Sequence, residues 1–388
     1  MEDYLNSTLN ALKSENYANL TIVIGNESCD LDSAVCSLVY ATFLHWQHQK
    51  MKCKVCTKNK RDENTYKDDI FICMLDVERQ DYLLKTEVAF CFKECGVSEE
   101  LLVFRDDIDI TNLVENNKTS IVLVDHHVLS GKFEFLAPHV TEIIDHRPID
   151  NTNWRYREDV RSTIEIVGSC CTLVGQRIED LSTLMHRGGF YDDFKVCADL
   201  LHSVILLDTV NFSKEVNKGT LHDEDIVTSL ETILEITDCE KVRREKVARL
   251  VAARCDVGSL SAAQLLRKDF KVVGDVFIPS FPVLVEDLLK KPGALEAVRE
   301  ALVLRDCSIA LLLGMTLNGH LQRDGAIISD DERKTEALSK LLREWSSPCL
   351  QLSPEIKKGL FYYKQLNLSA SRKQYIAPVN QYLNDFKQ

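Results

Sequence analysis

The sequence predicts an α/β protein: a mostly parallel-sheet N-terminal domain over residues 1–212, a linker at 213–222, and a smaller α+β domain over 223–388. Three observations carry that expectation. Short β-rich runs alternate with longer helical patterns through the first half. Runs such as Ile121-Val122-Leu123-Val124 are apolar at every position, as in strands covered on both faces. Acidic residues recur at the ends of such runs, the edge at which parallel sheets bind ligands.

In chain order, Leu20–Ile24 is a compact apolar run closed by Gly25, followed by a helical stretch from about Ser33 to Gln47. Further strands are expected at Asp69–Leu75, Leu101–Phe104, Ser120–Val124 and Thr141–Ile144, and helices at about Ile164–Ile178 and Asp193–Ser203. A polar, turn-forming stretch at Ser213–Asp223, with Asn211, Asn217 and Gly219, marks the change of domain. Beyond it, Glu231–Arg254 and Ser261–Lys268 look helical and Val272–Pro279 β-like. Ala294–Arg305 is helical, Ser308–Thr316 strand-like, and helix Asp331–Trp345 precedes a loop-rich end. No internal repeat or low-complexity segment interrupts this order.

Composition narrows the function. The 388 residues are 45% hydrophobic and 28% charged, as in a globular chain. A formal charge of −13 argues against bulk nucleic-acid binding, though not against a small anion held by metal ions and local cations. No apolar run reaches the roughly 18 residues a bilayer span requires. The acidic start Met1-Glu2-Asp3-Tyr4 lacks a signal-peptide pattern, so a cytoplasmic location is expected and the fourteen cysteines read as free thiols. Cys53 and Cys56 have C-x-x-C spacing, with Cys91 and Cys95 later, which admits a zinc site. Small buried hydrophobes are the simpler account, as for Cys73 in Phe71-Ile72-Cys73-Met74.

The acidic positions form an ordered set. Asp30 and Asp32 follow the first strand in Gly25-Asn26-Glu27-Ser28-Cys29-Asp30-Leu31-Asp32-Ser33. Asp125 opens Asp125-His126-His127, Asp145 opens Asp145-His146-Arg147-Pro148, and Asp208 ends the apolar run Val204-Ile205-Leu206-Leu207. Carboxylates gathered at one sheet edge repel one another unless divalent cations neutralise them. Carboxylates with one or two imidazoles suit Mg²⁺, Mn²⁺ or Co²⁺. Taken singly, each piece has a blander account: an Asp after a strand often caps a helix, and a His-His pair is often surface or packing. Their recurrence in order favours a two-metal site that activates water for attack on phosphorus. A Walker A motif is lacking, which speaks against an ATP-driven machine.

The set G-N-x-x-x-D-x-D-S, D-H-H, D-H-R and an apolar strand, expected at Val204–Leu207, ending in Asp resembles the DHH phosphoesterases, most strongly their Prune-like exopolyphosphatase branch. The likeness continues into the second half. Leu265-Leu266-Arg267-Lys268-Asp269-Phe270-Lys271 and Ser369-Ala370-Ser371-Arg372-Lys373-Gln374 resemble phosphate-binding motifs of the DHHA2 domain. The resemblance implies a DHH domain followed by a DHHA2 domain, with the active site in the cleft between them. It implies two divalent metals per site, with Asp30 on one, Asp32 on the other, Asp125 bridging, and His146 and Asp208 completing the second. Asn26 stands where family II pyrophosphatases place a His ligand and is expected to bind metal through its amide oxygen, more weakly than an imidazole would; His146-Arg147 stands where they carry His-His. Both departures match the exopolyphosphatase branch and favour Mg²⁺. His126 and His127 are expected in catalysis, in the second shell or on substrate. Arg147, Arg372 and Lys373, with Arg267, Lys268 or Lys271, are expected to clamp phosphate oxygens.

The activity implied is hydrolysis of terminal phosphoanhydride bonds in short-chain inorganic polyphosphates by a metal-bound hydroxide. Two alternatives are a cyclic-nucleotide (cAMP) phosphodiesterase and a Prune-like scaffold. The resemblance also implies a nucleoside diphosphate kinase-type protein partner. The chain ends about fifteen residues past Lys373, so a partnership that depends on a long C-terminal tail is not expected.

Overall fold

A computed structural model describes all residues except 53–66, 117, 150–151, 153, 185–188, 317–319, 358–359 and 387–388. Cys53 and Cys56 therefore lie outside the described residues. The chain divides into two compact units, Met1–Arg254 and Cys255–Gln388.

The first unit is built on six parallel strands: β1 (Leu20–Ile24), β2 (Ile70–Leu75), β3 (Val103–Phe104), β4 (Thr119–Val124), β5 (Val140–Asp145) and β6 (Arg161–Ile164). Their order is β3-β2-β1-β4-β5-β6. The chain builds outward from β1 to β3, then returns to start β4 on the other side of β1. The C-terminal ends of β1 and β4 therefore flank the topological switch point, where open α/β sheets bind ligands. Both faces are covered, as the apolar runs required. Ile22, Ile24, Ile72, Met74, Ile121 and Leu123 pack on one side. Val23, Cys73, Leu75, Val122, Val124 and Ile144 pack on the other.

Its helices are α1 (Glu2–Lys13), α2 (Leu31–Met51), α3 (Thr86–Glu94), α4 (Ile110–Asn116), α5 (Cys170–Leu184), α6 (Phe190–Asp193), α7 (Lys195–Asp208), α8 (Leu221–Ile233) and α9 (Cys239–Cys255). Helix α2 is buried without a break from Leu31 to Phe43, because the sheet covers one side and α5 and α7 the other. Val204–Leu207 belongs to α7, not to a strand, so Asp208 ends a helix. A fully buried helix is as continuously apolar as a buried strand, which is why the run misleads.

Helices α8 and α9 also belong to the first unit, whereas the sequence placed the change of domain at 213–222. Ile226, Val227, Leu230 and Leu250 join the first core. Asp223 anchors α8 by accepting hydrogen bonds from Gly168 N at 2.8 Å and Thr172 Oγ1 at 2.5 Å. Ion pairs hold α9: Arg243 with Glu231, Lys246 with Asp199, Arg249 with Glu94 and Arg254 with Glu87.

The second unit carries a mixed sheet in the order β11-β12-β10-β9-β8-β7. Its strands are β7 (Phe270–Val273), β8 (Val276–Phe281), β9 (Ile309–Thr316), β10 (Gln322–Ile328), β11 (Leu352–Lys357) and β12 (Leu360–Gln365). Only β8 and β9 run parallel. Helices α10 (Ala262–Lys268), α11 (Val285–Leu288), α12 (Ala294–Leu304), α13 (Glu332–Glu344) and α14 (Arg372–Phe386) complete it. The expected loop-rich end is instead a hairpin and a helix.

Candidate metal and phosphate site

The loop leaving β1 turns directly into α2. Gly25 permits this, because a Cβ there would lie 2.7 Å from Ser33 Cβ and 2.8 Å from Ser33 O. Asp30 caps α2 by accepting from Ser33 N at 3.1 Å, so the capping role and a place at the site coincide. Asp32, one residue into the helix, is buried and accepts from Cys170 N (2.7 Å), Cys171 N (3.0 Å) and Ser169 Oγ (3.1 Å). The N-terminus of α5 thus faces its charge.

Asp125 sits just past β4 with φ +60°, a left-handed conformation that Asp tolerates better than most residues. Its Oδ2 accepts from Ser33 Oγ and Asn26 Nδ2, each at 2.6 Å. Its Oδ1 faces His146 Nε2 at 3.2 Å and Arg147 Nη2 at 3.1 Å. His146 donates Nδ1–H to Val167 O at 3.0 Å, which aims Nε2 at Asp125 and, 3.9 Å away, at Asp32. One ligand atom each from Asp32, Asp125 and His146 lies within 4.8 Å of the others.

Electrostatics mark this cluster as short of positive charge. Burial and the nearby Asp32 charge push Asp125 up to about 6. Burial would lower His146, but its hydrogen bond to Asp125 and the Asp32 charge lift it to about 9. A proton on Nε2 there stands in for a cation. Asp208, at the end of α7, is pushed well up by burial and by Asp32, and its Oδ2 is buried with no hydrogen-bond partner among the described residues. It lies outside the trio within 4.8 Å but feels the charges of Asp32 and Asp30. Oxygen-rich ligands, an aimed imidazole nitrogen and an unsatisfied buried carboxylate oxygen fit a hard divalent cation.

The remaining first-unit residues surround the cluster. Asn26 presents its Nδ2 to Asp125, while its Oδ1 accepts from Ser28 N at 2.9 Å, so the amide here holds Asp125. His127 is buried and donates Nδ1–H to Asp145 Oδ2 at 2.5 Å. Asp145 also accepts from His146 N at 2.8 Å, tying the second histidine motif to the first. His126 donates Nδ1–H to Val124 O at 3.0 Å, and burial lowers its pKa. It lines a cavity of about 410 Å³ with Asn26, Ser28, Asp76, Phe133 and Arg147.

Asp76 was missed in the sequence, although it ends the apolar run 70–75 as Asp125 ends 119–124. It is buried and pairs with Arg105 at 3.0 Å and Lys132 at 2.9 Å.

In the second unit, Arg267 and Lys268 end α10, Lys271 lies exposed on β7, and Arg372 and Lys373 open α14. Arg372 Nη2 pairs with Asp269 Oδ1 at 2.8 Å, bringing the 267–271 and 372–373 segments together. Its Nη1 is buried without a hydrogen-bond partner among the described residues.

Comparison with known proteins decides the family. The DHH family N-terminal domain matches residues 21–205 and the DHHA2 domain residues 248–382. The chain is 32% identical to rat Exopolyphosphatase PRUNE1 over all of this chain and 80% of the rat protein. The chain belongs to the DHH phosphoesterases, in their Prune-like exopolyphosphatase branch. The human Exopolyphosphatase PRUNE1 is 29% identical over the same shares. Among solved structures, a candidate family II inorganic pyrophosphatase of Methanococcus jannaschii aligns over 94% of this chain and 99% of its own. Its TM-score is 0.44 and its identity 18%. Among the described residues of this DHH protein, no helix is long and apolar enough to cross a membrane.

Gly25→Ala tests the geometry. The new methyl group must displace Ser33, whose hydroxyl holds Asp125. Thermal melts should show a loss on the order of 1–3 kcal/mol. The rise in melting temperature expected of wild type on adding a divalent cation should disappear.

Proposed function

We propose that this chain is a divalent-metal-dependent exopolyphosphatase that releases terminal phosphate from short-chain inorganic polyphosphates. At the coarser level, it is a hydrolase of phosphorus anhydrides, as its exopolyphosphatase relatives support. The observation that carries the proposal is the convergence of Asp32, Asp125 and His146 at the switch point of the sheet, with Asp208 unsatisfied beside them.

In this reading Asp30 would hold one of two cations, Asp32, His146 and Asp208 would hold the other, and Asp125 would be available to both. Mg²⁺ is the proposed working metal, with Mn²⁺ or Co²⁺ as substitutes. A bound cation pair supplies an acidified water and neutralises phosphate oxygens. The chain's own residues do the rest. Ser33 and Asn26 fix the Asp125 carboxylate from one side, leaving its other oxygen toward the site. Arg147, half-exposed beside Asp125, is placed to exchange that contact for a bidentate grip on phosphate. His126, whose pKa burial lowers, lines the cavity wall. Asp145 orients the His127 ring by accepting its Nδ1–H. Arg372, Lys373, Arg267, Lys268 and Lys271 supply further charge for phosphate oxygens, Arg372 through its unsatisfied Nη1.

The test is release of phosphate from tri- and tetraphosphate, with pyrophosphate and cyclic AMP as competitors, across Mg²⁺, Mn²⁺ and Co²⁺. Metal-dependent turnover of tri- and tetraphosphate well above that of cyclic AMP is expected; hydrolysis of cyclic AMP alone would overturn the proposal. Arg372→Ala should raise the Michaelis constant for tetraphosphate roughly tenfold, as for loss of one charge-assisted contact of about 1.5 kcal/mol. An unchanged constant would remove Arg372 from the substrate site.

A further inference from the structure

In the second unit, the last residue of β12 carries a buried amide. Gln365 is 4% exposed and stands opposite Arg323 of β10 and Leu352 of β11, in a strand paired on both sides. Its side chain reaches past the strand end into the turn of residues 366–371 that leads to α14. Nε2 donates to Asn367 O at 2.6 Å and to Ala370 O at 2.7 Å, and Oε1 accepts from Tyr375 Oη–H at 2.7 Å. That orientation is forced, because a backbone carbonyl only accepts. Tyr375, 1% exposed, lies one helical turn past Arg372 at the start of α14.

We propose that Gln365 is a positioning residue for substrate binding that acts through Arg372; this rests on the phosphate-binding role proposed for that arginine. The Gln365 amide fastens the start of the turn, its end and the first turn of α14 to one rigid strand. Within residues 366–371 only Ala370 is buried, and Leu366 and Leu368 are 62% and 38% exposed, so apolar packing does little to hold the turn. Two further bonds, Asn367 Nδ2 to Cys349 O at 2.7 Å and Arg323 Nε to Leu368 O at 3.0 Å, lie on its exposed side, where water competes. The Ala370 and Tyr375 bonds to Gln365 are buried, and their loss leaves a carbonyl and a hydroxyl without a partner.

The consequence falls on Arg372. Its Nη2 is held by Asp269 Oδ1 at 2.8 Å, while Nη1 has no hydrogen-bond partner among the described residues. With the guanidinium pinned by Asp269 and the backbone set by Gln365 through Ala370 and Tyr375, Nη1 keeps one direction. A guanidinium grips phosphate oxygens along its N–H bonds, so a displacement of about 1 Å at the helix start weakens the contact. Gln365, buried beneath the turn, acts at one remove.

The experiment measures tetraphosphate hydrolysis by the full-length protein carrying Gln365→Met, which keeps the reach of the side chain without its donors, or Tyr375→Phe, which removes only the hydroxyl on Oε1. The Michaelis constant should rise about fivefold in the first and about threefold in the second, with kcat within about twofold of wild type. A merely structural role gives the opposite pattern: a fraction of the molecules unfolds, apparent kcat falls and the Michaelis constant of the remainder is unchanged. Gln365→Met combined with Arg372→Ala should stay within about twofold of Arg372→Ala alone, because both act on one contact. A Michaelis constant unchanged in both single variants, while Arg372→Ala raises it, would overturn the inference and leave the role of Arg372 standing; so would effects that multiply in the double variant. An unchanged constant in Arg372→Ala removes both. Should Gln365→Met not fold, Tyr375→Phe and its combination with Arg372→Ala decide in its place.

Discussion

Asp125→Asn is expected to abolish phosphate release while the protein stays folded. The substitution keeps the size of the side chain and an oxygen that can accept from Ser33 and Asn26. It removes the charge that pairs with His146 and Arg147. In metal-free protein that charge sits buried beside Asp32, whose repulsion helps push Asp125 up to about 6. Losing it relieves one unfavourable contact as it breaks two favourable ones, so metal-free stability should change by no more than about 1 kcal/mol. In the proposed metal-bound state there would be no such compensation. A neutral amide would hold the proposed cations more weakly than the carboxylate, and activity should fall at least about 10³-fold, or ~4 kcal/mol of lost transition-state stabilisation. Calorimetric titration with Mn²⁺ and steady-state kinetics check the two halves separately. Wild-type turnover in a folded Asp125→Asn protein would end the case for this site.

The second large effect is on stability, and it lies away from the site. His202 is wholly buried on α7. Its Nδ1 accepts from Lys246 Nζ at 2.9 Å, and its Nε2–H donates to Glu231 at 3.2 Å. Burial, and then the Lys246 charge, hold its pKa down to about 4 against an ordinary 6.5. The folded protein therefore binds fewer protons than the unfolded chain between these values. Stability from this group is complete above pH 6.5 and drains away as pH falls to about 4, in total on the order of 3 kcal/mol. Glu231, held down to about 2 despite its burial by Arg243 and His202, loses its own contribution only below about 4.5. Urea unfolding of metal-free protein at pH 7, 5.5 and 4.5 should show the loss. His202→Gln, which does not titrate, should flatten the upper part of that profile; a slope that persists in the variant assigns it to other groups.

Much of the site was legible because the chemistry sits where chain topology puts it. Asp125 and Asp145 follow apolar strands, and Asp30 and Asp32 follow Gly25, so local sequence marks them without knowledge of the fold. The order of the strands then brings the ends of β1 and β4 together. Asp208 was proposed as a site residue for a partly mistaken reason, since Val204–Leu207 lies in a buried helix. Asp76 obeys the same strand-end rule and was overlooked; its partners Arg105 and Lys132 come from distant segments and left no local signal. Of the strands that escaped notice, β6 and β11 are edges, whereas β10 and β12 lie inside the second sheet. Arg161-Ser162-Thr163-Ile164 is polar because only β5 covers it, and β11 tolerates Pro354 because it pairs with β12 alone. The limits of the first unit were misleading because α9 is docked largely by ion pairs, and charged residues at helical spacing look like a solvated surface.

Because α9 clasps partners as distant as Glu87 and Glu94, the nascent chain cannot finish its first folding unit when β6 leaves the ribosome. Roughly 80 residues separate β6 from Arg243, about 5–15 s of translation at ordinary rates. During that wait the apolar faces of α7 and α8 lack their last wall. The emerging polypeptide should therefore be most dependent on chaperones just before α9 is made, well after the residues of the metal cluster have all been synthesised.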